Sequence, residues 1–312
     1  MYHRISNFAQ GNEFYSGFEI GVSKDNFDNQ MKYIRENMNP MPLPDLMRCI
    51  ATTRTIPKRA VAVTFDDGYE DNYTHAYPIL KQYSMPATIF VTSGFIESSR
   101  IFWWDKIGQI VKRTTVPFLD TTILYRRFSR DWIYPLQKIP LSLPKERERA
   151  ISLLVTNLKT FDRDRLKEAV NVLQDNLKIN DHDLSTTQDR VLTWAQILEM
   201  SKSDIVEFGA HTVSHPNLAQ IGDDEVKKEI QTSKRILEDG INKPVQGFAY
   251  PYGFSQDYNE TIKKVVIDTG FTYACTAASG VVCPENDCYE LKRISMSNTS
   301  ISLSLWKMSK YL

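Results

Sequence analysis

Short apolar runs alternate along this chain with segments of helical periodicity. In residues 24–37, Phe27, Met31 and Ile34 recur at the spacing of one helix face. The run "RAVAVTF" at 59–65 then has the composition of a buried strand. Together these segments predict the first helix and strand of a repeating pattern.

The same alternation continues toward the end of the chain. Strand and helix alternation of this kind predicts an α/β fold with a mostly parallel sheet or barrel. Active sites in such folds gather at the carboxyl ends of the strands, so polar side chains directly after strands are the candidates for chemistry. The further predicted helices are 72–84 and 223–239, and the further predicted strands are 85–94, 204–210, 245–253 and 270–276.

The span from about 100 to 192 breaks this rhythm. Two charge-laced segments, 143–159 and 162–177, have helical periodicity, and only a short strand candidate occurs near 121–125. The pattern predicts a largely helical insertion within a single domain that covers residues 1–312.

Composition narrows the class of protein. The chain has 312 residues, 42% of them hydrophobic and 24% charged, which is typical of a globular protein. Its 38 basic residues balance its 38 acidic ones, so we expect no nucleic-acid partner. No run approaches the roughly 18 apolar residues that cross a bilayer, and the first residues lack the pattern of an export signal. The sequence therefore predicts a cytoplasmic protein without a transmembrane segment, the alternative being a periplasmic or secreted protein if this sequence is trimmed.

The cysteines add little to this picture. The chain has four of them and no CxxC pair, so free thiols are the expected state. Cys283 and Cys288, in "CPENDC", would close a small loop if they were paired in an exported protein.

Two histidines follow the predicted strand at 204–210. His211 and His215 are separated by three residues, and imidazole is the commonest ligand of zinc-like ions. Thr212 stands where a zinc peptidase of HExxH type has its glutamate base, and Pro216 disfavours a helix at His215. The pair is therefore either a metal site on a turn or two polar side chains that bond within the protein.

Two adjacent carboxylates end the strand at 59–65. Asp66 and Asp67 precede Gly68, a residue that allows a tight turn. One aspartate could complete a metal site of two histidines and one carboxylate, leaving the other to take a proton from water. The alternative for the doublet alone is a turn or a helix cap. Because both motifs follow apolar strands, a joint catalytic role is favoured.

Three motifs in chain order carry a resemblance to a known family. "TFDDGY", "HTVSHPNL" and "FAYPYG" resemble the first three motifs of the polysaccharide deacetylases, the carbohydrate esterases that share the NodB homology domain. The resemblance covers residues 1–98 and 190–300. It implies a distorted (β/α) barrel, a divalent metal that is usually Zn²⁺, and hydrolysis of N-acetyl groups from an amino sugar.

The resemblance also implies roles for individual residues. Asp67, His211 and His215 would bind the metal, and Asp66 would be the catalytic base. The backbone N–H of Tyr252, presented by the loop that Pro251 stiffens, would stabilise the oxyanion and contact substrate. Thr212 would steady the histidine loop.

The sequence departs from the family pattern at two places. Ala249 replaces the arginine that orients the base, and Arg293 is our candidate substitute, the alternative being a structural arginine. No histidine follows His215 to act as the general acid. Relatives that deacetylate exopolysaccharides resemble a permuted version with "YH" near the N-terminus, so His3 is our candidate acid, the alternative being a disordered terminal residue.

An aromatic cluster lies just after a predicted strand. Trp103 and Trp104 could form the floor of a glycan groove, or they could anchor the insertion. The sequence therefore predicts a metal-dependent deacetylase of an N-acetylated glycan, with exopolysaccharide or a glycan intermediate preferred over peptidoglycan. The alternatives are a C–N hydrolase of a small non-carbohydrate amide and a glycan-binding homologue that has lost activity.

Overall fold

The chain folds into strands and helices that alternate as the apolar pattern indicates. The computed structural model describes residues 1–6, 20–128, 138–184 and 189–298. Its strands are β1 (Arg4–Ser6), β2 (Gly21–Ser23), β3 (Asn39–Pro40), β4 (Ala60–Val61), β5 (Val63–Phe65), β6 (Ala87–Val91), β7 (Phe118–Asp120), β8 (Lys138–Pro140), β9 (Val206–Ala210), β10 (Gly247–Ala249), β11 (Tyr273–Ser279) and β12 (Leu291–Arg293). Its helices are α1 (Lys24–Asn37), α2 (Leu43–Thr53), α3 (Tyr77–Gln82), α4 (Trp103–Arg113), α5 (Thr122–Phe128), α6 (Pro144–Leu158), α7 (Arg163–Asn176), α8 (Trp194–Ser201), α9 (Asp223–Ile241) and α10 (Glu260–Asp268).

The main sheet has six parallel strands. Their order is β12-β11-β10-β9-β6-β5, which leaves β5 at one edge and β12 at the other. Because all the strands run the same way, their carboxyl ends meet at one edge of the sheet. The loops after β5, β9, β10 and β12 therefore lie on the same side of the sheet.

The first residues of the chain lie between the two edge strands. Tyr2 pairs with Phe65 in parallel, and its backbone N–H donates to the carbonyl of Thr64 at 2.8 Å. On the other side, the backbone N–H of Met296 donates to the carbonyl of Met1 at 2.9 Å. The curled sheet is thus closed by the N-terminal segment, and the predicted distorted (β/α) barrel is confirmed.

Three aromatic rings pack where this closure occurs. Phe27, on the buried face of α1, contacts the rings of Tyr2 and Phe65 at centroid distances of 5.1 and 5.7 Å. Met31 and Ile34 are buried on the same face, as the helical spacing predicts. Burial of this face accounts for the position of α1 against the N-terminal segment.

The predicted strand at 59–65 is wrong in one respect, because it is two strands. β4 pairs with β3 in a separate two-stranded sheet, whereas β5 pairs with β6 in the main sheet. β5 is buried, whereas β4 is half-buried. A continuous apolar run does not show which partner strand receives each backbone hydrogen bond.

The chain divides into two compact units, and the second is inserted into the first in sequence. The first unit comprises the described residues up to 98 and from 191 onward, and the second comprises those from 99 to 190. Within the second unit, α4, α6 and α7 pack together, and β7 and β8 form an antiparallel hairpin. A single domain with this insertion remains our prediction.

The strand candidate at 121–125 is wrong, because α5 occupies these residues. The Asp120 side chain accepts a hydrogen bond from the backbone N–H of Thr122 at 3.0 Å, which satisfies a donor of the first helical turn. Leu124 and Phe128, four residues apart, are the buried pair on one helix face.

Two further observations bear on the sequence predictions. Cys283 and Cys288 are free thiols, Cys283 being exposed. Across the described ranges, every helix is too short or too polar to span a bilayer.

A buried ion pair fastens the N-terminal strand to the loop after β5. The Arg4 Nε atom donates to the Asp71 carboxylate at 2.9 Å, and the same carboxylate accepts the backbone N–H of Ile5 at 3.1 Å. Burial raises the pKa of Asp71, and the charge of Arg4 offsets only part of this rise. The pair therefore fixes the strand at an energetic cost in desolvation.

We expect Asp71→Ala to lower the free energy of unfolding by about 3 kcal/mol, because it leaves the buried Arg4 charge without that carboxylate. The double variant Arg4→Met/Asp71→Leu should lose less, because it buries no charge. Denaturant unfolding monitored by circular dichroism measures both. Arg48→Ala, which breaks the exposed Arg48–Asp45 pair, is the control and should change stability by less than about 1 kcal/mol. Equal losses in Asp71→Ala and the control would contradict the prediction.

Candidate active site and metal centre

The loop after β5 separates the two adjacent carboxylates. The strand ends at Phe65, and Asp67 has a left-handed backbone with φ of 71°. Gly68 follows with φ of 76°, and a Cβ at this position would lie 2.9 Å from a Val91 methyl group. This tight turn, rather than the alternation of an extended strand, directs Asp66 and Asp67 to different partners.

Asp67 lies against both histidines of the HxxxH motif. Its Oδ1 atom is 3.5 Å from Nε2 of His211 and 3.4 Å from Nε2 of His215. All three side chains are buried. Atoms that each lie about 2.1 Å from one tetrahedral ion are separated by about 3.4 Å, so this spacing fits a single zinc-like ion.

The surroundings of the histidines fit metal binding as well. Nδ1 of His211 lies 2.7 Å from the carbonyl oxygen of Ala249, at the end of β10. Because a carbonyl only accepts, Nδ1 carries the hydrogen, which leaves Nε2, on the side of Asp67, as the nitrogen that could bind a metal. Burial lowers the pKa of His211, but its hydrogen bond with Asp67 and the charges of Asp66 and Asp67 outweigh burial and raise that pKa. Burial lowers the pKa of His215 to about 3, which keeps this imidazole in the neutral form that binds metals. The residues present can therefore hold a divalent ion.

The histidine loop is built around the side chain of Thr212. Its hydroxyl donates to the carbonyl of His211 at 2.6 Å and accepts the backbone N–H of His215 at 3.0 Å. Thr212 and His215 both have positive φ, at 64° and 56°. The loop is a strained turn and not a helix, as Pro216 indicates.

Arg293 forms an ion pair with Asp66, the first aspartate of the doublet. Its two terminal nitrogens donate to the two carboxylate oxygens of Asp66 at 2.7 and 2.6 Å, and its Nε donates to the carbonyl of Thr276 at 2.8 Å. This bidentate geometry orients a carboxylate firmly. Arg293 is the last residue of β12, and its guanidinium makes the contact with Asp66 that the methyl side chain of Ala249 cannot make.

The charge on Asp66 is set by two opposing effects. Burial alone would raise the pKa of its carboxyl group, but the charge and hydrogen bonds of Arg293 outweigh burial and hold that pKa well below its ordinary value. His211 and His3 lower it further. Asp66 is therefore ionised throughout the physiological pH range.

His3 also lies close to this group of charges. Burial lowers the pKa of the His3 imidazole. The negative charges of Asp67 and Asp66 oppose this effect, the positive charge of Arg293 adds to it, and the net shift is downward. The Asn72 side chain donates to the carbonyl of His3 at 2.8 Å and so holds the backbone that carries the imidazole. His3 is half-buried and forms part of the site, although it is more than sixty residues from Asp66 in sequence.

The loop after β10 adds an aromatic wall. Tyr252 has φ of 59°, and its ring meets the His215 ring edge-on at 4.9 Å. Pro251 precedes it, and the carbonyl of Pro251 accepts the backbone N–H of Gly253 at 2.6 Å. A Cβ on Gly253 would lie 2.7 Å from the backbone nitrogen of Ala277, so the turn requires glycine.

The aromatic cluster belongs to the second unit. Phe102 and Trp104 are buried and stack at a centroid distance of 4.6 Å, whereas Trp103 is half-buried at the start of α4. Contact of Trp103 or Trp104 with substrate stays a prediction.

Sequence reasoning missed some residues that build the site. The acceptor for His211 is the backbone carbonyl of Ala249, and a backbone acceptor leaves no signature in the sequence. Asn72 and Asp71 follow motif one closely, yet nothing local shows that they hold the N-terminal strand.

Comparison with known proteins agrees with this geometry. The family model for polysaccharide deacetylases matches residues 53–118 and 154–274, more than half of the chain. The chain belongs to the polysaccharide deacetylase family. The matched residues include both aspartates and both histidines of the site, whereas His3 and Arg293 lie outside them.

Individual relatives match over shorter stretches. The chain is 40% identical over 92 residues to the putative polysaccharide deacetylase YxkH of Bacillus subtilis, covering 29% of this chain and 30% of that protein. It is 31% identical over 115 residues to the poly-beta-1,6-N-acetyl-D-glucosamine N-deacetylase of Staphylococcus aureus, covering 35% of this chain and 40% of that protein. The matching region thus spans well under half the length of either relative.

Solved structures share the fold over nearly the whole chain. The Streptococcus pyogenes deacetylase PplD in complex with acetate has a TM-score of 0.62 at 22% identity, with 99% of this chain and 96% of that chain covered. IcaB from Ammonifex degensii has a TM-score of 0.59 at 17% identity, with 98% and 94% covered. Because these sequence identities are low, the structural likeness shows that this chain shares the fold of these proteins and no more.

We expect Asp67→Ala and His215→Ala each to abolish tight Zn²⁺ binding, because either change removes one of three protein ligands. Titration against a chromophoric chelator measures the affinity. Asp66→Asn is the matched control, since its side chain faces Arg293, and it should keep about one ion per chain. Unchanged affinity in both ligand variants would show that the ion binds elsewhere.

Proposed function

We propose that this protein is a metal-dependent hydrolase that removes N-acetyl groups from an amino-sugar-containing polysaccharide or glycan intermediate. The observation that carries the proposal is that two adjacent carboxylates have different partners. Asp67 faces two histidines, and Asp66 faces an arginine. A turn or a helix cap would need neither arrangement.

A divalent ion, with Zn²⁺ the preferred candidate, would be held by Asp67, His211 and His215 and would acidify the attacking water and polarise the acetyl carbonyl. Asp66 would accept the proton of that water at a carboxylate oxygen. Arg293 orients this carboxylate and keeps it ionised. Because its pKa is low, Asp66 is a weak base, and it depends on a water that is already acidic.

The leaving group requires a proton of its own. As the C–N bond of the acetamide breaks, His3 would donate a proton to the departing amine nitrogen, so that acetate and a free amine leave. Burial lowers the pKa of His3, which makes its protonated form a stronger donor. The backbone N–H of Tyr252 would stabilise the oxyanion, and the Tyr252 ring and Pro251 would line the acetyl site.

The glycan is proposed from the chemistry of relatives. A Staphylococcus aureus protein that matches 35% of this chain is named a poly-beta-1,6-N-acetyl-D-glucosamine N-deacetylase. His3 lies between Tyr2, which pairs with Phe65, and β1, and this placement before motif one supports the permuted arrangement inferred from the sequence. Both observations favour an exopolysaccharide or a related intermediate over peptidoglycan.

The absence of the motif-three arginine favours the alternative of a glycan-binding homologue that has lost activity, because that arginine orients the base in the family. Arg293 supplies a guanidinium to the same carboxylate, which removes the observation behind that alternative. A hydrolytic role is therefore preferred to glycan binding alone.

We expect Asp66→Asn to release no acetate from N-acetylglucosamine oligomers, because an amide cannot take the proton from water, while bound Zn²⁺ remains at about one ion per chain. Acetate assay and metal analysis on one preparation measure both quantities. Acetate release near the wild-type rate would remove Asp66 from the role of base. Bound ion in the wild type without acetate release would point to another amide substrate or to binding alone.

We expect His3→Ala to lose hydrolysis of N-acetyl amides but to keep most hydrolysis of an aryl acetate ester, because a phenolate leaves without a proton. Parallel kcat/KM measurements on the two substrates test this split. Asp66→Asn is the comparison variant and should lose both activities, since both require attack by water. Equal loss of the two activities in His3→Ala would exclude a role specific to the leaving group.

A further inference from the structure

A buried glutamate on α9 binds the loop that joins the two histidines. One carboxylate oxygen of Glu229 accepts the backbone N–H groups of Val213 and Ser214, each at 2.8 Å. The other oxygen accepts the Ser214 hydroxyl at 2.6 Å. Glu229 is 6% exposed, so these bonds form away from bulk water.

The three donors to Glu229 are neutral groups. Within the described part of the chain, this carboxylate forms no ion pair. A buried carboxylate without a cation is costly unless its oxygens are filled by hydrogen bonds, and consecutive backbone N–H groups are a strong anion-binding arrangement. The charge is therefore satisfied by the loop itself, which makes the carboxylate and the loop conformation mutually dependent.

The loop needs such support because its backbone is strained. Thr212 and His215 both have positive φ, although neither is glycine and Thr212 is β-branched. Conformations of this kind cost of order 1–3 kcal/mol each and persist only where the surroundings enforce them. Without enforcement, the two imidazoles would lose their common orientation toward Asp67.

The opposite side of the loop is held at its carbonyl oxygens by residues that follow β6, including the Ser93 hydroxyl, which donates to the carbonyl of Thr212 at 3.5 Å. The N–H groups of Ser93 and Gly94, after β6, donate to the carbonyls of Thr212 and Val213 at 3.0 and 2.9 Å. These bonds fix the carbonyl side, whereas Glu229 binds the N–H side. Glu229 is the one side chain from another element of the described structure that bonds this loop's N–H groups.

We infer that Glu229 is a positioning residue for the metal centre: its carboxylate holds the strained 212–215 loop so that His211 and His215 face Asp67 together. The inference rests on the proposed metal site and adds a residue to it. Glu229 contacts the 212–215 loop, and it acts on the metal site through that loop. Its effect is therefore expected on ion affinity and ligand geometry rather than on proton transfer.

The test compares Zn²⁺ affinity and the visible spectrum of the Co²⁺-substituted protein across matched variants. We expect Glu229→Ala to weaken Zn²⁺ binding by about 10- to 100-fold and to change the Co²⁺ ligand-field bands, as loss of supporting contacts does at metal sites. Glu229→Gln keeps an oxygen for the two backbone N–H groups and should recover most of the affinity. Asp239→Ala, an exposed carboxylate on α9, is the control and should match the wild type.

The outcomes separate this inference from the proposed function. If wild-type protein binds no ion, the metal site itself fails. If wild-type protein binds an ion and folded Glu229→Ala binds it with the same affinity and the same Co²⁺ spectrum, only the role of Glu229 is overturned. Circular dichroism verifies folding, and Glu229→Gln supplies the comparison if the alanine variant does not fold.

Discussion

The buried pair between Arg293 and Asp66 joins the two ends of the main sheet. Asp66 follows the edge strand β5, and Arg293 ends the opposite edge strand β12, so a bidentate contact between them requires the sheet to curl. Both side chains are almost inaccessible to water, and separating two buried charges costs several kcal/mol. The position and the charge of the candidate base thus depend on closure of the barrel.

The N-terminal segment occupies the gap that this closure leaves. Tyr2 pairs with β5, and Met1 pairs with the residues that follow β12. The same hydrogen bonds that complete the barrel carry His3 to the carboxyl ends of the strands. Barrel closure and assembly of the candidate proton donor are therefore one structural event, fastened by Arg4 and Asp71.

The loops that carry the chemistry contain strained backbone conformations. Asp67, Thr212, His215 and Tyr252 all have left-handed backbones, although none of them is glycine. Strain of this kind survives only where hydrogen bonds and packing over-determine it, and the Thr212 hydroxyl and the Glu229 carboxylate do so at the histidine loop. These contacts therefore fix the backbone that carries the two candidate metal-binding histidines.

The sequence by itself determined the elements and the local motifs. Helical spacing placed α1, apolar runs placed β6 and β9, and adjacency brought Asp66 beside Asp67 and His211 near His215, because each of these signals lies within a few residues. Tertiary structure decided the rest. Arg293 and Asp66 are 227 residues apart, the division of 59–65 between two sheets depends on partner strands, and His3 enters the site only because the barrel closes around it. Contacts between distant segments follow from how the sheet curls, and no local pattern of residues records that curvature.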